Sequence, residues 1–265
     1  LTVLFTFAWQ SSSAANVFDN NGGTGSGLWN DPVNWSMGVV PTAGEDVIIG
    51  SGLTCQMDVA PPALNSLNVQ PGATLLGPNM GTYTISIAKN VFCYGIIDNP
   101  AKPAGATIDF MFTGAGNKFV GSGIVHANQI GKGSASPAIT YLSINSGVTV
   151  NLYNAGNTVL NNYSGTALNI ILAGTLNVLN GSIGIDGSPG AAAGGDINWY
   201  IYSGITVSQN IDLTTNNNVG GGAVFFTGPY TTVTCGQAIT NACGTDGMTF
   251  TISDGVTWEF TGTPG

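Results

Sequence analysis

An internal repeat constrains the fold of this chain more than any other feature of its sequence. An apolar pair, two small or polar residues, a glycine and a second alternating apolar run recur along most of the chain. Units of this kind stack in solenoid proteins, because each one cannot bury its apolar face until a neighbour covers it. The clearest copies are 67–75, 142–150, 200–207 and 250–258, with a one-residue-shorter version at 171–176.

The glycines of the repeat give its period. From Gly72 to Gly255, successive repeat glycines are separated by 23, 28, 24, 27, 30, 24 and 27 residues. A period in the twenties fits coils made of about three short strands joined by turns. We therefore predict an all-β fold, a right-handed parallel β-helix of about eight coils. The repeat glycines are Gly72, Gly95, Gly123, Gly147, Gly174, Gly204, Gly228 and Gly255.

Short-range patterning predicts strands throughout the chain. Apolar residues alternate at period two over runs such as SLNV, TISI, YLSI and MTFTI, and helical periodicity is almost missing. After each repeat glycine, this alternation turns valine, isoleucine or leucine inward and threonine outward. Because like residues stack in successive coils, we expect one outward column that contains Thr74, Thr149, Thr206 and Thr257. A threonine column is a candidate surface for glycan or ice, although stacked threonine is also ordinary in β-sheets.

Composition and charge exclude several classes of partner. Charged residues make up 6% of the chain, against roughly 25% in an average soluble protein. The formal net charge is −9, and the four cations are all lysines. Such a chain repels phosphate backbones and anionic lipids, so we exclude nucleic acid and anionic membranes as partners. No apolar stretch reaches the roughly 18 residues of a transmembrane segment, and the glycine- and threonine-rich composition predicts a secreted protein at the cell surface.

The cysteines predict disulfides. None of the four cysteines forms a CxxC pair, which argues against a zinc site or thioredoxin-like redox work. Disulfides formed in an oxidising compartment are the better interpretation. Cys235 and Cys243 bracket a short loop, and Cys55 with Cys93 would tie neighbouring parts of the N-terminal region. Four cysteines allow three pairings, so the sequence leaves the connectivity open.

A stretch with two tryptophans precedes the first repeats. Residues 27–52, named here the tryptophan segment, carry the pattern W…NW…G…P…DVxI. This segment resembles the stretch before the first coils of many secreted β-helix surface proteins, including autotransporter-like passengers and large adhesins. The resemblance implies a β-helix with an N-terminal cap, for which two indole rings and a proline-fixed turn supply the bulk. The matching residues are Trp29, Asn34, Trp35, Gly38, Pro41, Asp46, Val47 and Ile49, and the predicted cap consists of Trp29, Trp35, Pro41 and Asp46.

The chain divides into an N-terminal strand with a linker, residues 1–26, and a β-helix domain, residues 27–265. Alternation within residues 1–10 predicts a strand with one apolar face. Such a strand needs a partner, so it either folds back on its own solenoid or is donated to the next subunit. The alternative is a signal-peptide remnant with a small-residue cleavage site at residues 13–15. The apolar face contains Val3, Phe5, Phe7 and Trp9.

No constellation of catalytic residues stands out, so we predict that the protein is not an enzyme. Polysaccharide lyases and hydrolases need clustered carboxylates, often with a basic residue that takes a proton. The acids here are scattered, with only Glu45 and Asp46 adjacent, and His126 is the single histidine. We expect no cofactor, and Ca²⁺ held in glycine- and asparagine-rich turns is the alternative to plain turn-forming aspartates. The carboxylates concerned are Asp186, Asp196, Asp212, Asp246 and Asp254.

Three functions are compatible with these features. The first is an extracellular structural protein that assembles head to tail with itself into a filament, in which residues 1–10 of one copy are donated to the next. Weak charge favours this stacking, because little like-charge repulsion opposes it. The second is an adhesin or passenger fragment of a longer protein that presents the solenoid to glycans or other cell-surface components. The third, a polysaccharide-active enzyme, depends on the fold alone.

Overall fold

The regular secondary structure of the described residues is almost entirely β-strand. The computed structural model describes residues 14–98, 106–114, 116–132, 139–152, 158–162, 167–178, 182–187, 197–202, 205–207, 211–215, 222–226, 230–235, 239–240, 248–252 and 257–261. Within these residues the helical segments are single turns, α1 (Asn20–Gly23) and a 3₁₀ turn at Pro32–Asn34. None of the described helical segments has the length and apolarity that crossing a membrane requires.

The strands form three sheets, named here A, B and C. Sheet A contains β1 (Asn16–Phe18), β2 (Asp46–Ile49), β4 (Ser66–Val69), β7 (Val91–Cys93), β10 (Gly116–Gly121), β13 (Ile139–Ile144), β16 (Ala167–Leu172), β19 (Ile197–Ile201), β22 (Gly222–Phe226) and β25 (Met248–Ile252). Sheet B contains β3 (Thr54–Gln56), β5 (Thr74–Leu76), β8 (Ile96–Asp98), β11 (Ile124–Ala127), β14 (Thr149–Leu152), β17 (Thr175–Val178), β20 (Ile205–Val207), β23 (Tyr230–Cys235) and β26 (Thr257–Thr261). Sheet C contains β6 (Gly81–Ile87), β9 (Ala106–Phe112), β12 (Gln129–Lys132), β15 (Thr158–Asn162), β18 (Ser182–Gly187), β21 (Ile211–Thr215) and β24 (Ile239–Thr240).

The order of the strands follows the sequence repeat. From β4 onward, each strand pairs in parallel with the strand three positions later in the chain. The chain therefore visits sheets A, B and C in turn, and we use the word repeat for one such passage. Each repeat adds one strand to every sheet. The predicted all-β class with parallel pairing is confirmed.

Inward side chains form continuous apolar columns, as the alternation predicts. In sheet B, the inward residues of six successive strands lie opposite one another and are at most 1% exposed. A large apolar side chain buried in such a column contributes roughly 1.5–3 kcal/mol to stability. The column consists of Cys55, Leu75, Ile97, Val125, Val150 and Leu176.

The repeat glycines are required for two different steric reasons. Gly72 and Gly147 have φ angles of 73° and 91°, in the left-handed region that glycine tolerates best. Gly95, Gly123 and Gly174 instead lie against the backbone of the preceding repeat, where an added Cβ would come within 2.1, 2.2 and 2.4 Å of a carbonyl oxygen. The first group needs glycine for its conformation, and the second needs it for close approach.

The predicted single column of threonines is wrong. Thr74 and Thr149 share one outward row of sheet B, but Thr206 lies in the next outward row of that sheet. Thr257 lies opposite Tyr230, two residues before the position that continues the first row. The spacing between sheets A and B changes along the chain, and a shift by two residues keeps the apolar set inward while it moves outward residues by one row.

Candidate functional site

The aromatic rings of the tryptophan segment meet in the core beside β1. Trp29 and Trp35 are 1% and 2% exposed, and their ring centroids lie 4.8 Å apart, edge to face. Trp35 makes a second edge-to-face contact with Phe18 at 5.2 Å, and its Nε1 donates to Trp29 O at 2.7 Å. Pro41 is buried as well. The structure thus buries three of the four residues predicted for the cap and brings the two tryptophans together.

Asp46, the fourth of these residues, ties β2 to β4. Its Oδ1 accepts hydrogen bonds from Asn65 Nδ2 at 2.7 Å and from Ser66 Oγ at 2.5 Å. The neighbouring Glu45 instead accepts from Thr42 N at 3.1 Å and Thr42 Oγ1 at 2.8 Å. The two adjacent carboxylates therefore serve separate local hydrogen-bond networks and do not converge on one point, as a pair of catalytic acids would.

Other parts of the chain contact the first strand of each sheet, along β1 and at the ends of β3 and β6. Residues 27–29 make two backbone hydrogen bonds of 2.8 Å to Gln56 of β3. Residues 34–39 run beside β1, and Leu64 bonds to the backbone at the end of β6. Backbone groups that are already paired in this way are not open to an incoming strand.

Cys55 and Cys93 are free thiols, so the disulfide predicted between them is not formed. Cys55 lies in β3 of sheet B and Cys93 in β7 of sheet A, and both are 0% exposed. Burial raises the pKa of the Cys55 thiol well above its ordinary value, with a smaller effect from the Asp58 carboxylate. Burial also raises the pKa of Cys93 to about 12, although backbone hydrogen bonds act in the opposite direction. Each thiol therefore behaves as a small apolar core residue.

The outer face of sheet B carries two rows of side chains. The row beside the corner between sheets A and B is well exposed, with Ile96 at 40% and Ile124 at 39%. A second row lies two residues further along each strand and is more recessed. This second row begins with Gln56 and Leu76, and we name its continuation from β8 onward the polar ladder. The first row contains Thr54, Thr74, Ile96, Ile124, Thr149 and Thr175, and the polar ladder contains Asp98, His126, Asn151 and Asn177.

Side chains of the polar ladder bond to one another along the stack. Asn177 Nδ2 donates to Asn151 Oδ1 at 2.8 Å, and Asn151 Nδ2 lies 3.3 Å from His126 Nδ1. Asn151 is only 9% exposed, so neighbouring side chains supply part of its hydrogen bonding. The register continues the row through Thr206, Thr234 and Thr261.

Sequence reasoning missed the polar ladder. His126 and Asn151 are 25 residues apart in the chain, so neither is part of a visible cluster when the sequence is read residue by residue. The signal that could have found it is the residue at the second outward position of successive B strands, which is polar in each repeat from Asp98 onward.

Two exposed tyrosines directly follow A strands at the corner between sheets A and B, and in the register of sheet A Tyr202 is two positions before Tyr94. Tyr94 is 42% exposed and Tyr202 is 46% exposed. Tyr94 N donates to O of Val69, the last residue of β4, and Tyr202 N donates to O of Leu172, the last residue of β16, each at 2.8 Å. Each tyrosine is therefore the first residue after an A strand and bonds to the end of the A strand before it.

The remaining predicted sites are only partly within the described residues. There, no three His, Cys, Asp or Glu side chains come together as ligands for a metal ion. Asp186 and Asp212 lie in β18 and β21, which corrects the prediction that they lie in turns. The other predicted calcium ligands, Asp196, Asp246 and Asp254, lie outside the described residues. So does Cys243, the predicted disulfide partner of Cys235. The apolar face of the N-terminal strand, Val3, Phe5, Phe7 and Trp9, also lies outside them.

A comparison with known families matches the N-terminal repeats. Residues 34–134, less than half of the chain, match the sequence model of the G8 domain. The matched stretch begins within the tryptophan segment and extends through β12. No curated protein and no solved structure matches the chain. Over these residues, the chain is similar to a G8 domain.

Proposed function

We propose that the protein is a secreted, non-enzymatic structural protein with a right-handed parallel β-helix fold, whose copies join head to tail into filaments through residues 1–10. The observation that carries this proposal is the strand order, in which every repeat adds one parallel strand to each of the three sheets. In such an array each repeat contacts only its neighbours, so the ends are the natural sites of association.

The shared core supports a β-helix. Inward residues of all three sheets, such as Leu67 in A, Leu75 in B and Phe110 in C, belong to one apolar cluster. Sheets that surround a common core give this arrangement, whereas sheets in separate layers would bury separate interiors. The right-handed sense follows the general preference of parallel crossover connections.

The two ends of the stacked sheets differ, which gives the filament a direction. At the β1 end, the first strands are contacted by residues 27–29, residues 34–39 and Leu64. At the other end, β25, β26 and β24 are the last described strands of sheets A, B and C. A strand donated from residues 1–10 of one copy would therefore add to the β24–β26 end of the next copy, by the same edge pairing that builds each sheet.

Composition and family likeness support an extracellular location. The chain is low in charge and rich in glycine, and the matched G8 domain is typical of extracellular proteins. Both features favour a protein that works outside the cell as a stable scaffold.

Electron microscopy of negatively stained protein, with and without residues 1–15, tests the filament. We expect filaments from the full chain and single particles from the deletion, at matched protein concentration. A sharper pair of variants keeps the chain length. Phe5→Ser with Phe7→Ser should abolish the filaments, because it removes the apolar face of the strand, whereas Thr2→Ser with Thr6→Ser should leave them intact.

Two outcomes would contradict strand donation. Filaments that form without residues 1–15 would mean that another surface joins the copies. Single particles from every variant, including the full chain, would mean that the protein does not self-assemble through this segment. Circular dichroism of the deletion variant shows whether the β-sheet domain itself is intact in each case.

A second function, that of a glycan-binding adhesin, is favoured by the outer face of sheet B. This face exposes Ile96 and Ile124 beside a row of polar side chains, and a filament subunit joined by its ends has no need of such a surface. Adhesins and filament subunits differ in the site of contact, since the first uses a face of the array and the second its ends.

A further inference from the structure

Tyr94 and Tyr202 mark the two ends of a regular strip on the corner beside sheet B. They follow β7 and β19, which are separated by β10, β13 and β16 in sheet A. Four strand spacings place the two backbone positions about 19 Å apart along the stacking direction. The equivalent corner positions between them carry small or polar residues, Ser122, Asn145 and Ala173, as their backbone hydrogen bonds to the preceding repeat show. Two exposed rings therefore flank a low stretch of surface.

The outer face of sheet B, beside this strip, places exposed apolar side chains next to a row of polar ones. Ile96 and Ile124 are exposed directly after the corner, and the polar ladder runs parallel to them one row further in. Within the ladder, the contact to His126 uses one of the two amide hydrogens of Asn151. Between the two tyrosines, the exposed pair of isoleucines therefore lies beside a row of polar side chains.

The charge of this surface selects the type of ligand. Among its described residues, the ionisable groups are Asp98 and His126, and no lysine lies in either row. Lys118 belongs to β10 of sheet A. A strongly anionic polymer would gain no cationic partner here and would also meet the net charge of −9.

We propose that this face, bounded by Tyr94 and Tyr202, binds a neutral polysaccharide whose chain lies along the stacking direction, across the strands. The inference rests on the second of the two functions above and names its ligand. An uncharged sugar chain matches the surface because it presents apolar C–H faces to tyrosine rings and hydroxyl groups to amides at repeated intervals. A long, linear ligand can reach both tyrosines and the side chains between them.

Affinity electrophoresis and titration calorimetry with defined polymers test this proposal. The probes are xyloglucan and glucomannan as neutral polysaccharides and polygalacturonate as an anionic one. We expect retention by at least one neutral polymer and none by polygalacturonate. Tyr94→Ala and Tyr202→Ala should each weaken the affinity roughly two- to tenfold, the range expected for loss of one aromatic contact, and the double variant should weaken it further.

A matched control removes an exposed apolar side chain elsewhere. Met80, in the turn before β6, is 82% exposed, and Met80→Ala should leave the affinity unchanged. The two tyrosines are also exposed, so their variants should fold normally, which thermal denaturation checks. Electron microscopy of the same variants should show filaments like those of the parent chain, so that failure of glycan binding is distinct from failure of assembly.

Three outcomes would overturn the proposal. The first is a double tyrosine variant that binds the neutral polymer as tightly as the parent chain. The second is a parent chain that retains no neutral polymer, or that prefers polygalacturonate. The third is a change in the sedimentation coefficient of the tyrosine variants with no change in their glycan affinity. This result would mean that the face is a contact between copies of the chain.

Discussion

Replacement of Gly95 by alanine should be among the most damaging single methyl additions in the protein. The added Cβ would lie 2.1 Å from Ala73 O and 2.6 Å from Gln70 O. Both carbonyls are already engaged, since Ile96 N donates to Ala73 O and Ala73 N donates to Gln70 O, each at 2.9 Å. To reach an ordinary contact distance, the backbone must separate by about 1 Å, which breaks or stretches both hydrogen bonds.

The cost follows from these two losses. Two net backbone hydrogen bonds contribute about 2 kcal/mol together, and forcing a group into packed surroundings adds about 1–3 kcal/mol. We therefore expect Gly95→Ala to lower the free energy of unfolding by about 3–5 kcal/mol. Chemical denaturation followed by tryptophan fluorescence and by circular dichroism measures this loss, and agreement between the two probes checks that unfolding is cooperative.

Gly72→Ala is the matched control. Gly72 occupies a repeat-glycine position too, but its nearest atoms are Gly52 Cα and N at 3.6 Å, and its φ is 73°. Alanine in this conformation costs about 1–2 kcal/mol, partly offset by about 0.4–1 kcal/mol because the unfolded chain becomes less flexible. Gly95→Ala should therefore lose several times more stability than Gly72→Ala. Equal losses in the two variants would refute the distinction between close approach and left-handed conformation.

Two further predictions concern the core. Because burial raises the pKa of Cys93 to about 12, the folded protein holds this proton to higher pH than the unfolded chain. The contribution of the protonated Cys93 thiol to the free energy of unfolding should be complete below about pH 9 and should fall by about 1.4 kcal/mol per pH unit above that. Denaturation curves recorded from pH 8 to 11 should show this fall for the parent chain and should lack it for Cys93→Ser. Trp35→Phe removes the 2.7 Å hydrogen bond to Trp29 O and leaves this buried carbonyl with one partner fewer. The free energy of unfolding should therefore fall by about 1–3 kcal/mol. An unchanged melting temperature would show that this bond contributes nothing.

The sequence predicted the strands and the parallel pairing because both depend on short-range patterns. Period-two alternation identifies a strand with one buried face, and a period in the twenties predicts that strands of successive units pair in parallel. The tryptophan segment was also predictable as a unit, and Trp29 and Trp35 do meet in the core. The two buried thiols were not, because a cysteine in an inward row of a strand has the same sequence pattern as a valine there.

The outer face was not predictable from the repeat, because the length of the corner between sheets A and B varies along the chain. Leu67 and Thr74 are seven positions apart, and the residues that align with them are five apart in Val91 and Ile96. Further along, Leu172 and Thr175 are three apart.

Later the corner lengthens again, since Phe226 and Thr232 are six apart and Ile252 and Glu259 are seven apart. The corner takes up these differences, so the register within each sheet stays fixed, because a slip by one residue would turn the apolar column outward. Core packing therefore fixes which side chains face inward but leaves the identity of outward neighbours free. Sequence alignment on the repeat glycines thus places Thr206 level with Thr149, while the structure places it in the row of Asn151 and Asn177. The outward side chains of sheet B are therefore those that the repeat constrains least.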